Sequence, residues 1–124
     1  MKYNELTLKD RERLTEAGIL NGCGPANWRG AAPQWFFKAC CMEHDYNYAL
    51  GGTEADRRWA DWGFYVAMIK DIMRLPWYKR PFARIVAWVF YRAVRWQGAK
   101  QFNYRELSRN YYLLTVDQLI KEQS

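Results

Sequence analysis

The sequence predicts an all-α chain, and three observations carry that expectation. Helix starts are marked by capping pairs (Thr7 with Asp10, Thr53 with Asp56, Thr115 with Gln118), and helix stops by glycine or proline. No stretch shows the alternation of a half-buried strand. The 124 residues, half of them hydrophobic and 18% aromatic, suit a single domain over 1–124 and exclude a disordered chain. The expected architecture is two long antiparallel helices, an irregular loop and additional helices.

In chain order, "LKDRERLTEA" after Thr7 reads as a short amphipathic helix closed by Gly18. Residues 19–32, "ILNGCGPANWRGAA", are rich in Gly, Pro and Asn and read as an irregular loop, long enough for a structureless connection to suggest a function. Pro33 suits the first position of a helix that runs through "QWFFKACCMEHDYNYAL" to the Gly51-Gly52 stop. Thr53 caps a second long helix, "EADRRWADWGFYVAMIKDIMRL", ended by Pro76, and the Gly-Gly-Thr link is short enough to fold the two helices back on each other. A third long helix is expected from Phe82 to about Gln97, and Thr115 with Gln118 caps a short terminal one.

Charge divides the chain. Residues 1–61 hold eight Lys/Arg against nine Asp/Glu, whereas 62–124 hold eleven against four, so the second half should seek an anionic partner. The longest apolar run, "IVAWVFY" at 85–91, falls far short of the ~20 residues of a membrane-spanning helix, so no transmembrane segment is expected. No apolar run follows the lysine of "MKYNELTLKD", so no secretory signal is expected, and the chain should be soluble or lie on a membrane surface. Three cysteines allow at most one internal bridge, with one thiol left over.

The single histidine, His44, stands in "CCMEHDYNY". By itself a His-Asp dipeptide on a helix is more often a surface or capping feature than a catalytic one. Helical geometry narrows the choice. Residues four apart share a face, so His44 lies over Cys40 and Tyr48 while Asp45 is turned away. His44 is six residues before Leu50, about 9 Å along its helix, and Asp61 is seven after Glu54, about 10.5 Å along the next. The two should meet across the pair, whereas Asp56, about 3 Å along, is too near the turn and already caps it. A histidine held by a carboxylate on a neighbouring helix is what a general base requires. Asp45 would then be available to a metal, and the carbonyls of "GCGPA", residues 22–26, are hard oxygen ligands of the kind that select calcium.

On these residues the chain resembles the phospholipase A2 superfamily. "CCMEHDYNY" is similar to its active-site helix, "GCGPAN" to its calcium loop in the compact viral form, and "RRWADWGF" to the Ala-Asp segment of its second long helix. The resemblance covers roughly 21–65. It implies calcium-dependent hydrolysis of the sn-2 ester of glycerophospholipids, with His44 as the base that deprotonates water, Asp61 as the acid behind it and Tyr48 bonded to that acid. It further implies Ca2+ on Asp45 and the carbonyls of Gly22, Gly24 and Ala26, a Gly24 N–H toward the oxyanion, and a Cys23–Cys41 bridge. Ala26 stands where the loop of the family has glycine, and the short interval from His44 to Asp61 leaves no room for the β-hairpin of secreted vertebrate members. The chain thus looks like a minimal bacterial, viral or phage-like variant, in a secreted or phage- or virus-associated setting, peripheral to membranes.

In 82–97, Arg84, Trp88, Arg92 and Arg95 fall on one helical stripe, an arrangement suited to a phospholipid membrane surface. The alternative is a core helix with a solvated basic side. Trp59, Trp62, Phe64 and Tyr65 are expected to pack the helix pair, with some of them walling an acyl-chain slot. No nucleic-acid partner is expected, since no recognisable motif accompanies the basic aromatic half, although a basic nucleic-acid-binding module stands as a rival. A second rival keeps the fold without turnover, as a membrane-binding toxin or lysis factor.

Overall fold

The computed structural model describes residues 2–20, 34–109, 112 and 114–122. Among these the chain is mostly helical, with no strand and one isolated backbone bridge, Gly52 to Tyr104. The helices are α1 (Leu8–Glu16), α2 (Gln34–Leu50), α3 (Glu54–Ile72), α4 (Arg80–Gln97) and α5 (Val116–Glu122), with 3-10 segments at Tyr3–Glu5 and Gly98–Lys100. No helix among the described residues is long and apolar enough to cross a membrane.

The capping pairs do what their chemistry dictates. Thr7 Oγ1 accepts from the Asp10 N–H at 3.1 Å, and the Asp10 carboxylate accepts from the Thr7 N–H. Thr115 and Gln118 exchange the same two bonds ahead of α5. At α3 the Asp56 carboxylate accepts from the Thr53 N–H at 2.9 Å, and also from Ser108 Oγ and the Arg109 N–H, so the cap doubles as an anchor for the segment after α4.

Two helix ends differ from the sequence expectation. Helix α3 stops at Ile72, and Met73 to Leu75 close by short turn bonds, because the residue before Pro76 is pushed out of helical geometry. Helix α4 begins at Arg80, two residues early, with Pro81 in its first turn, where a missing N–H costs nothing.

Gly51 and Gly52 connect α2 to α3 with φ of +70° and +130°, and a Cβ at Gly51 would land on the Asn103 carbonyl. The backbone crosses closely there. The Gly52 N–H donates to the Asn103 carbonyl, and the Gly52 carbonyl accepts from the Arg105 N–H at 2.8 Å. Beyond the turn, contacts between α2 and α3 run in opposite chain order: Tyr48 meets Asp61, while Cys40, nearer the start of α2, meets Asp71.

Helix α2 is covered on two sides. Phe37, Cys40 and Cys41 pack with Phe64, Met68 and Ile72 of α3 and Ala83, Ala87 and Phe90 of α4. On its other side Tyr46 and Leu50 pack with Leu14 of α1, Ile19, Leu20, and Val116 and Leu119 of α5. Most of the irregular loop, with Pro33 and the implied ligand positions Gly22, Gly24 and Ala26, lies outside the described residues.

Candidate active site

His44 and Tyr48 are one turn apart on α2 and face Asp61 on α3. The Nε2–H of His44 donates to Asp61 Oδ1 at 2.7 Å, and the Tyr48 hydroxyl donates to the same oxygen at 2.6 Å. Asp61 is fully buried and His44 is 7% exposed. The imidazole lies against the Phe64 ring, centroids 4.6 Å apart at 29°, with the Tyr48 ring 4.2 Å away. Stacking and the Nε2 bond fix the ring's orientation, so Nδ1 is the nitrogen free to take a proton; among the described residues it has no hydrogen-bond partner.

The other oxygen of Asp61 is not solvated but ion-paired. Arg95 of α4 donates from Nη1 to Oδ2 at 2.8 Å, and Arg57 of α3 brings its Nη1 to 3.5 Å. Both guanidiniums also hold Glu54, which accepts from Arg57 Nε at 3.0 Å and from the Tyr104 hydroxyl at 2.6 Å. Arg57 further donates to the Val94 carbonyl. Two carboxylates and two guanidiniums thus close a charge-balanced network, the arrangement that buried ions require.

Titration follows from these contacts. Burial works to raise the Asp61 carboxyl, but the bonds from His44, Tyr48 and Arg95 together outweigh it and hold the group below its ordinary range. Burial, then the bond to Asp61, pushes the Tyr48 phenol up, so it remains a donor. The Arg57 and Tyr104 bonds hold Glu54 down to about 2.

The helix-pair geometry expected for His44 and Asp61 is therefore present, with Tyr48 on the acid. Asp56 is engaged at the cap, as its axial position required. Asp45 is half-buried, one residue beyond His44 on α2. Three positions differ from the sequence reading. Arg95 does not join Arg84, Trp88 and Arg92 on the outer stripe of α4; it sits at the edge of that stripe and turns inward to Asp61. Trp59 and Trp62 are exposed, at 74% and 48%, and only Phe64 of the aromatic group is buried between the helices. Arg57 was the readable omission, since it lies four residues before Asp61 on the same helix face.

As to the implied calcium ion, the described residues hold no group of three His, Cys, Asp or Glu side chains able to bind a metal. Asp45 is the one implied ligand among them, and a calcium shell takes six to eight oxygens. The described residues alone do not build the site.

Cys41 is disulfide-bonded, whereas Cys40 carries a free, buried thiol. The Cys23 partner that the resemblance implies lies outside the described residues. Burial and the bond from Cys40 Sγ to Asp71 push that thiol's pKa up.

No protein-family model, curated protein or solved structure matches the chain.

Proposed function

We propose that the chain is a small phospholipase A2-like carboxylic ester hydrolase that cleaves the sn-2 ester of glycerophospholipids at a membrane surface. The observation that supports this reading most is the buried His44–Asp61 pair with Tyr48 on the same carboxylate oxygen. In the proposed reaction a water attacks the ester carbonyl while His44 Nδ1 takes its proton. Asp61, through Nε2, stabilises the imidazolium so formed. The tetrahedral adduct collapses by breaking the bond to the glycerol oxygen, and the Nδ1 proton passes to that oxygen, leaving a free fatty acid and a lysophospholipid. When bound, by Asp45 with the loop carbonyls of Gly22, Gly24 and Ala26, calcium supplies electrostatic stabilisation of the charge that develops on the carbonyl oxygen.

A second reading is favoured by one specific observation: His44 is stacked on Phe64, lies beside the Tyr48 ring and is barely exposed. In it the pair is a structural tie within a membrane-binding protein that performs no turnover, a toxin or lysis factor. The test is fatty-acid release from mixed phospholipid vesicles, with calcium and with excess chelator, by the wild type and by His44→Gln. The expected outcome is calcium-dependent release that falls by about 100- to 10,000-fold in the variant. Absence of release by folded wild type, with vesicle binding retained, would establish the second reading.

A further inference from the structure

The solvent side of α4 carries an arrangement that the core does not explain. Its inner face, Ala83, Ala87 and Phe90, is buried against α2 and α3. Its outer arc should be polar in a helix that faces water. It is instead largely apolar: Phe82, Ile85, Trp88, Val89 and Trp96 are all exposed, Ile85 at 63% and Trp96 at 82%. Trp88, Val89 and Trp96, with Ala93 and Arg92, line a shallow groove of about 420 Å³. A cluster of exposed large apolar side chains of this kind marks a surface that is covered in use.

Charge identifies what covers it. From Ile72 to Arg105 the sequence has eight Lys/Arg and no Asp or Glu. Some of these cations are engaged: Arg80 donates to the Leu75 and Met73 carbonyls, and Arg95 to Asp61. Arg84 and Arg92 on the outer arc, with Lys79 and Lys100 at its two ends, pair with no carboxylate among the described residues. The Arg92 guanidinium lies 5.9 Å from the Trp88 ring centroid, so the cation is held beside the apolar surface. A second copy of this chain would bring like charge against like. An acidic protein would answer the charge but does not require indole rings, whose preferred level is the boundary between head groups and acyl chains.

We propose that the outer face of α4 docks on an anionic phospholipid surface, the helix lying flat with Trp88 and Trp96 at the head-group boundary and Arg84 and Arg92 on lipid phosphates. An 18-residue helix gives a contact about 27 Å long. The inference shares its membrane partner with the hydrolase reading, but docking needs neither His44 nor a metal ion.

The test is flotation with vesicles of phosphatidylcholine alone or mixed with anionic phosphatidylglycerol, in excess chelator. It uses the His44→Gln protein, so that turnover cannot alter the lipid. The expected result is binding to the anionic vesicles that weakens about 30-fold in Arg84→Gln/Arg92→Gln, at about tenfold per 1.4 kcal/mol and two lost charges. Trp88→Ser/Trp96→Ser should also lose binding, while circular dichroism and hydrolysis of a soluble short-chain ester by the His44-containing form stay unchanged. Equal binding to both vesicle types, or wild-type binding by either double variant, would overturn the proposal. So would a dimer in sedimentation that the tryptophan substitutions dissociate, which would assign the face to a second copy. Vesicle binding without ester hydrolysis would leave the docking face standing and remove the hydrolase.

Discussion

The two sides of α2 are both buried and differ in kind. Toward α1 and α5, Tyr46 and Leu50 meet Leu14, Val116 and Leu119, a mainly apolar cluster held chiefly by volume and shape. Toward α3, His44 and Tyr48 meet a buried carboxylate, two guanidiniums and a second carboxylate beyond them. Apolar residues of similar size would close that side as well or better, since desolvating ions costs about as much as their attraction returns. A fold has no need of the polar side. Its presence supports a chemical role, and the apolar side shows what α2 looks like where packing alone decides.

The largest expected effect breaks the polar side. Asp61→Ala strands two guanidiniums and His44, and should lower stability by about 3–5 kcal/mol as read from urea midpoints. Leu14→Ala on the other side should cost about 2–5 kcal/mol through lost burial and the cavity left behind, yet leave ester hydrolysis by the remaining folded protein intact. Loss of turnover in folded Leu14→Ala would erase the distinction between the sides.

A smaller change reaches the site without touching its chemistry. At Gly98 the backbone is ordinary, but an added Cβ would overlap the Tyr48 hydroxyl that donates to Asp61. Tyr48 cannot swing freely, since Phe102 packs edge-on at 5.1 Å. Gly98→Ala should therefore cost about 1–3 kcal/mol and slow turnover, whereas Gly98→Ala combined with Tyr48→Phe should recover part of the stability.

The smallest expected effect is in pH. Because the folded Asp61 carboxyl titrates below its unfolded value of about 3.9, its contribution is fully present above that value and is lost as pH falls through the folded one. Glu54, held down to about 2 by Arg57 and Tyr104, acts in the same direction, discounted because it is partly exposed. Midpoints measured from pH 5 to 2.5 should fall, and Asp61→Asn should flatten the slope. An equal slope in the variant would remove Asp61 from the account.

Much of this was legible in the sequence, for reasons that differ by residue. The caps at Thr7, Thr53 and Thr115 were readable because capping is local chemistry. The meeting of His44 with Asp61 was readable because a two-glycine link fixes the register of two helices and axial rise does the rest. Arg95 was not. Helical period alone places it beside Arg84, Trp88 and Arg92, and only the position of α4 over α3 turns it inward. Trp59 and Trp62 misled for the complementary reason: large aromatic rings usually pack, and nothing local says that Trp59 stays largely exposed while Trp62 is only half covered, by Tyr91 of α4.

The inward turn of Arg95 also bears on when the site comes into being. His44 and Asp61 leave the ribosome seventeen residues apart, but the guanidinium that seals the acid follows thirty-four residues later. Until α4 closes over α3, Asp61 Oδ2 lacks its Arg95 partner, although His44, Tyr48 and Phe64 already stand on α2 and α3. A fragment ending before Arg95 should therefore keep the helix pair but leave Asp61 unsealed, which a lower urea midpoint would show. The acid is thus sealed by the part of the fold that is made last among its partners.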